Sequence, residues 1–105
     1  MVRHIENLEE FNAALQEAGD KLVVVDFTAT WCGPCKMIGP LFETLSAENK
    51  DVVFLKVDVD DANDVAASCD IKCMPTFHFY RLKEKIDEFT GANGAVLVAK
   101  IEKLK

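Results

Sequence analysis

A three-layer α/β sandwich is the fold this sequence predicts, with a central mixed sheet of five strands flanked by four helices. Two observations carry the prediction. Short apolar runs alternate with stretches of helical period in the order strand, helix, strand, helix, strand, helix, strand, strand, helix. One of those runs, Leu22-Val23-Val24-Val25, is continuously apolar, as a strand covered on both faces should be, and such strands belong to parallel sheets flanked by helices.

Residues 2–5 form a short first strand. Leu8, Phe11, Leu15 and Ala18 then fall on one helical face, with Asn7 and Glu10 in capping-box spacing at the start and Gly19 as the stop. Residues 22–27 and 52–57 read as the two central strands. Between them a helix begins near Cys35 and turns Met37, Ile38, Leu41, Phe42 and Leu45 to one side; Pro40 within it predicts a kink. A shorter helix carries Ala62, Val65, Ala66 and Cys69. Strands at 77–80 and 86–89 are joined by so short a connection, 81–85, that they should form an antiparallel hairpin, whereas the earlier strands should be linked by right-handed parallel crossovers. The last helix starts at about Asn93 with Val96, Leu97, Ile101 and Leu104 inward and Lys100, Lys103 and Lys105 outward, a basic end that suits the helix dipole.

With 105 residues, half of them apolar, the chain is expected to be one domain, 1–105, around one core. Its formal net charge of −6 argues against nucleic acid or an anionic lipid surface as partner. Arg3, Glu6, Glu9 and Glu10 interrupt any apolar core of a secretory signal, and no run is long enough to cross a bilayer, so a cytoplasmic location is expected. Four cysteines, at 32, 35, 69 and 73, would suit a disulfide scaffold, a metal site or redox chemistry. A reducing compartment does not keep structural disulfides, which leaves metal and redox chemistry.

Trp31-Cys32-Gly33-Pro34-Cys35 lies between the most apolar strand and the second helix, so Cys32 falls at or just before a helix N-terminus. Unpaired backbone N–H groups and the positive end of the dipole favour a thiolate there, and the thiolate is the form that attacks disulfides. Two intervening residues let Cys35 turn back under Cys32 in the first helical turn, so that the pair can close into a disulfide and release a bound substrate. The competing reading is a zinc site made of this pair with Cys69 and Cys73, whose spacing zinc also tolerates. Against it, zinc knuckles sit in turns between short strands, whereas this pair opens a long amphipathic helix.

Val23-Val24-Val25-Asp26-Phe27, the segment from Ala29 to Ile38, Val57-Asp58-Val59-Asp60-Asp61, Met74-Pro75-Thr76-Phe77 and Phe89-Thr90-Gly91-Ala92-Asn93 together resemble the thioredoxin family, its animal cytosolic members in particular, in order and spacing along the whole chain. The resemblance implies the thioredoxin fold and a protein-disulfide reductase in which Cys32 attacks and Cys35 resolves. It implies that no cofactor is bound and that electrons come from NADPH through thioredoxin reductase. Ribonucleotide reductase, peroxiredoxins and methionine sulfoxide reductases are the implied targets, and cell redox homeostasis the implied setting. A mainly monomeric protein, able to dimerise through Cys73, present in the cytoplasm and also in the nucleus or exported without a signal peptide, is in keeping with it. Outside this class, a protein whose redox state gates partner binding is the alternative.

Asp26 stands in an apolar strand, where burial should raise its pKa. It is either a satisfied structural carboxylate or, as the resemblance implies, the proton acceptor for Cys35; Lys56 in the neighbouring strand is a candidate partner. By default Met74–Pro75 would be trans, but the resemblance implies a cis bond facing the cysteine pair, with Met74 offering its backbone to an extended substrate. Trp31, held by Asp60, would then join Gly33, Pro34, Met74, Pro75, Thr76, Gly91 and Ala92 in a shallow substrate-binding patch. Cys69 reads most simply as a buried hydrophobe, whereas Cys73, beside Met74, lies where relatives use a regulatory cysteine. Ala62 replaces a cysteine common among animal members, so their second disulfide with Cys69 should be missing. The 81–85 turn lacks the family's usual glycine and should be strained or longer, and Asp87 places a charge on an edge strand.

Overall fold

The computed structural model describes residues 1–105. Its sheet has the order β1-β3-β2-β4-β5, built from β1 (Val2–Ile5), β2 (Val23–Thr28), β3 (Val53–Asp58), β4 (Thr76–Arg81) and β5 (Glu84–Thr90). β3 runs parallel to both β1 and β2, while β4 runs antiparallel to β2 and β5 to β4. β2 is therefore paired on both edges, and all six of its residues are buried. The helices are α1 (Leu8–Ala18), α2 (Gly33–Glu48), α3 (Asn63–Ser68) and α4 (Gly94–Leu104).

Alternation along β2 divides the core in two. Val23, Val25 and Phe27 pack with Phe11 and Leu15 of α1 and Val65 of α3. Val24 packs on the other side with Ile38 and Phe42 of α2 and Leu97 and Ile101 of α4. Asp26 shares the parity of Val24 and so faces the α2 layer.

The helix ends show where side chains replace missing backbone partners. Asn7 caps α1 by accepting the Glu10 N–H at 2.8 Å, but Glu10 reaches back to the N–H of Glu6, at 3.0 Å, one residue before the expected closure of the box. The Leu8 N–H is taken at 2.9 Å by the Asp64 carboxylate, which ties the start of α1 to α3. α2 begins at Gly33, two residues before Cys35, because Cys32 caps it and Pro34 occupies the first turn, where its lack of an N–H is harmless. Met37 is not on the inner face of α2: it is 80% exposed. Cys35, Ile38, Phe42 and Leu45 set the buried stripe at spacings of three and four, and Met37 lies a full helical step off it.

The β4–β5 hairpin turns on two residues alone, since Arg81 pairs with Glu84. Leu82 and Lys83 hold φ of +53° and +68°, the positive pair that a tight hairpin turn requires and that Asn-Gly normally supplies. The turn is strained rather than lengthened. Tyr80 pairs with Lys85 but Phe79 with Asp87, so Ile86 is the extra residue of a bulge. The Asp87 charge on the edge strand is matched by Lys100 of α4 at 2.7 Å, and the hydrogen bond from Lys100 holds the Asp87 carboxyl below the usual range. Side chains other than glycine at positive φ are strained by roughly 1–2 kcal/mol, of which glycine returns part in unfolded-state entropy. Lys83→Gly is accordingly expected to stabilise the protein by about 0.5–1 kcal/mol in urea unfolding.

Candidate active site

β2 ends at Thr28, and the chain reaches α2 through a short loop in which the Cys32 N–H returns to the Ala29 carbonyl at 3.2 Å. Cys32 is the N-cap of α2: its backbone is extended, and its sulfur accepts the Cys35 N–H at 3.2 Å. An orphan donor of the first turn thus points at that sulfur, where it stabilises negative charge. Cys32 and Cys35 are joined in a disulfide across Cα atoms 5.3 Å apart. Both are buried beside Ala29, with Val59 and Met74 packed against them.

The facing wall is the loop before β4. The Met74–Pro75 bond is cis, and the Met74 carbonyl oxygen lies 3.8 Å from the Cys32 sulfur. Two bonds hold this loop. The Thr76 hydroxyl donates to the Cys73 carbonyl at 2.6 Å, and the Pro75 carbonyl accepts the N–H of Gly91 at 2.9 Å. Gly91 sits at φ +97°, a conformation open to glycine. Thr76 is buried, with its hydroxyl turned to the loop that it braces, so its side chain supports this wall rather than forming part of its surface. On the other flank Trp31, 66% exposed, donates its indole N–H to the Asp60 carboxylate at 2.8 Å. Gly33, Pro34, Gly91 and Ala92 are exposed around the pair, and Pro75 is buried.

Asp26 is 1% exposed, and its Oδ1 has no hydrogen-bond partner. Burial pushes its pKa from 3.8 up to about 7, while the charge of Lys56, its register partner on β3, pulls partly back. Lys56 also lines a cleft of about 620 Å³ on the α2 side of the sheet, together with Thr28, Cys35 and Lys36. The arrangement puts a dithiol pair, an acid that is half ionised near neutrality and a polar cleft in one layer of the molecule.

The other two cysteines do not join this pair. Cys73 is exposed, its sulfur 3.9 Å from the Thr76 hydroxyl. Cys69 packs against the α1/α3 core on the opposite face of the sheet, its sulfur 3.7 Å from the Tyr80 hydroxyl. From there polar contacts continue to His78 Nδ1 at 3.3 Å and from His78 Nε2 to Glu88 at 3.8 Å. Sequence reasoning missed this series because it joins residues on two strands and a helix end; the alternation of His78 and Tyr80 on one face of a strand is its only trace.

A dithiol that closes at a helix N-terminus, opposite a cis-proline loop and at the end of a central strand, defines a thiol-disulfide oxidoreductase. The chain belongs to the thioredoxin family: the family model described as "Thioredoxin" matches residues 2–103. It is 71% identical over 103 residues to a thioredoxin of Ictalurus punctatus, covering 96% of both chains, and 60% identical over 104 residues to a thioredoxin of Equus caballus, covering 99% of both. Its fold superposes on the X-ray structure of Fasciola hepatica thioredoxin with a TM-score of 0.97 at 39% identity, over 98% of this chain and 99% of that one.

The Asp26 carboxyl loses its proton near 3.8 when unfolded and near 7 when folded, so the native state binds more protons across that window. The contribution of Asp26 to stability therefore falls as pH rises from about 4 to about 7 and levels off above, by roughly 4 kcal/mol in all. Asp26→Asn should remove most of that slope, giving a gain of a few kcal/mol at pH 8 and almost none at pH 4 in urea unfolding of the oxidised protein. Desolvation also pushes the Cys69 thiol up, against a hydrogen bond from Tyr80 that lowers it. Iodoacetamide at pH 7.5 should accordingly alkylate exposed Cys73 about tenfold faster than Cys69, as read by peptide mass spectrometry.

Proposed function

We propose that this protein reduces disulfides of other proteins with electrons drawn from NADPH through thioredoxin reductase, and that Cys32 is the attacking and Cys35 the resolving sulfur. The observation that carries this reading is the position of Cys32, capping α2 with its sulfur held against the Cys35 N–H. In the reduced protein the Cys32 thiolate attacks one sulfur of a target disulfide. The target S–S bond breaks, its second sulfur leaves as a thiolate and takes a proton, and a mixed disulfide joins target and Cys32. Cys35 then gives its proton to Asp26 and attacks Cys32, which forms the intramolecular disulfide and releases the target's remaining sulfur as a thiolate that takes a proton from water.

Asp26 suits that step because its carboxyl is poised near neutrality on the same side of the sheet as Cys35. The cleft lined by Thr28, Cys35 and Lys56 gives the proton a polar way out. An extended target segment pairs with the Met74 backbone beside Pro75, flanked by Trp31, Gly33 and Pro34 on one side and by Gly91 and Ala92 on the other. Asp60 supports recognition by holding Trp31, and Thr76 by bracing Cys73. Cys73, exposed at the rim, is the regulatory thiol and the means of dimerising a protein that is otherwise monomeric; Cys69 is a slower second thiol. No cofactor is bound. Residues 1–105 act as one domain that carries electrons in the cytoplasm, with ribonucleotide reductase, peroxiredoxins and methionine sulfoxide reductases as targets.

The deciding experiment follows NADPH oxidation with thioredoxin reductase and a protein disulfide. The native chain should support turnover, Cys32→Ser should abolish it, and Cys35→Ser should accumulate target bound covalently to Cys32. No NADPH consumption by the native chain would overturn the reading. Trapping on Cys35 in the Cys32→Ser protein would reverse the roles of the two sulfurs.

A further inference from the structure

We infer that Asp58 is a positioning residue for substrate recognition, holding Trp31 beside the reactive sulfur through the carboxylate of Asp60. The inference rests on the reductase reading above.

β3 ends at Asp58, and the turn that follows is wound around that residue. Its Oδ1 accepts the N–H of Asp60 at 2.9 Å and lies 3.4 Å from the N–H of Asp61, while its carbonyl accepts the N–H of Ala62 at 2.8 Å. A carboxylate that takes backbone donors two and three residues ahead fixes the turn's shape. The base of the turn is fastened as well. Asp58 pairs with Thr28 in the β2–β3 register, and the Val59 N–H donates to the Thr28 carbonyl at 2.9 Å. Thr28 is the last residue of β2, from which the loop carrying Trp31 and Cys32 departs.

Asp60 therefore has a fixed backbone from which to reach the indole. Its Oδ2 accepts the Trp31 N–H at 2.8 Å, and Trp31 is the chain's one tryptophan, two-thirds exposed and adjacent to Cys32. Val59, between the two acids, packs against the cysteine pair. Asp58 touches neither sulfur, so it acts through Asp60. An exposed aromatic ring held before binding loses less freedom when a partner lands on it. Released, it should weaken association with a protein target by about two- to tenfold.

The test compares the native chain with Asp58→Ala, Asp58→Glu and Asp58→Asn. Glutamate keeps the charge but moves the acceptor one methylene beyond the turn; asparagine loses the charge but keeps Oδ1 in place. Acrylamide quenching of Trp31 fluorescence reads the ring directly. Coupled turnover on a protein disulfide and on 5,5′-dithiobis(2-nitrobenzoate) reads recognition. Asp58→Ala and Asp58→Glu should show stronger quenching and a two- to tenfold higher KM for the protein disulfide, with little change in kcat or in the rate with the small disulfide. Asp58→Asn should match the native chain in quenching and KM. If Asp58→Ala does not fold, the glutamate and asparagine variants carry the same contrast. Native quenching and KM in Asp58→Glu, or the same loss in Asp58→Asn as in Asp58→Glu, would overturn the positioning role alone. A native chain that reduces neither disulfide would overturn the reductase reading and the recognition role with it.

Discussion

Strand β2 has no free edge and no free face, and the rest of the molecule is arranged to keep it so. β3 and β4 occupy its two edges, α1 and α3 cover one side, and α2 and α4 cover the other. A strand enclosed in this way exchanges almost all contact with water for apolar packing, and fully burying one Val or Phe side chain contributes about 1.5–3 kcal/mol. It is also fixed in register by two ladders, so the point at which the chain leaves the sheet cannot slide. That exit sets the loop in which Cys32 becomes the cap of α2. The reactive pair, at the cap and first turn of α2, is thus placed by a strand paired on both edges and covered on both faces.

The same enclosure makes Asp26 expensive. A carboxyl among Val24, Phe77 and the α2 layer has lost its water, and one of its oxygens has found no replacement donor. Lys56 opposes it in register but makes no ion pair with it, and its charge offsets only part of the desolvation. Asp26 is the one acidic residue among the buried polar side chains, which otherwise are Thr28, Ser46, Thr76 and His78, and it weakens the fold at neutral pH by several kcal/mol. The physical effect of the position is that a proton is held or released near pH 7 within the layer that contains Cys35. Destabilisation and readiness to move a proton have one cause, the loss of water around a single carboxyl.

Much of this was legible in the residues themselves. The uninterrupted run at Leu22 to Val25 marked a central strand, and the order of elements, the capping role of Asn7 and the placing of Cys32 at a helix start all followed from local chemistry. What lay out of reach depended on contacts between distant segments. Met37 reads as an inner residue by hydrophobicity, and only the exact rotation of α2, set by Cys35, Ile38, Phe42 and Leu45, turns it out. Thr76 stands beside Met74 and Pro75 in a motif expected at the surface, yet it is buried with its hydroxyl bonded to the Cys73 carbonyl. The tight turn at Leu82 and Lys83 could be doubted from its composition, since no glycine or asparagine announces it; the pairing of Arg81 with Glu84 imposes it. The series from Cys69 through Tyr80 and His78 to Glu88 is spread over twenty positions and has no local signature.

The seating of Cys32 limits which disulfides this protein meets. Only 5% of the residue reaches the surface, and the sulfur sits between the α2 terminus and the Met74 carbonyl. It has no reach of its own. A disulfide recessed within a folded partner cannot approach so sunken a sulfur, whereas one on a protruding or unravelled loop can. The depth of Cys32 thus acts as a steric filter: a bond must stand out from its host to reach the sulfur.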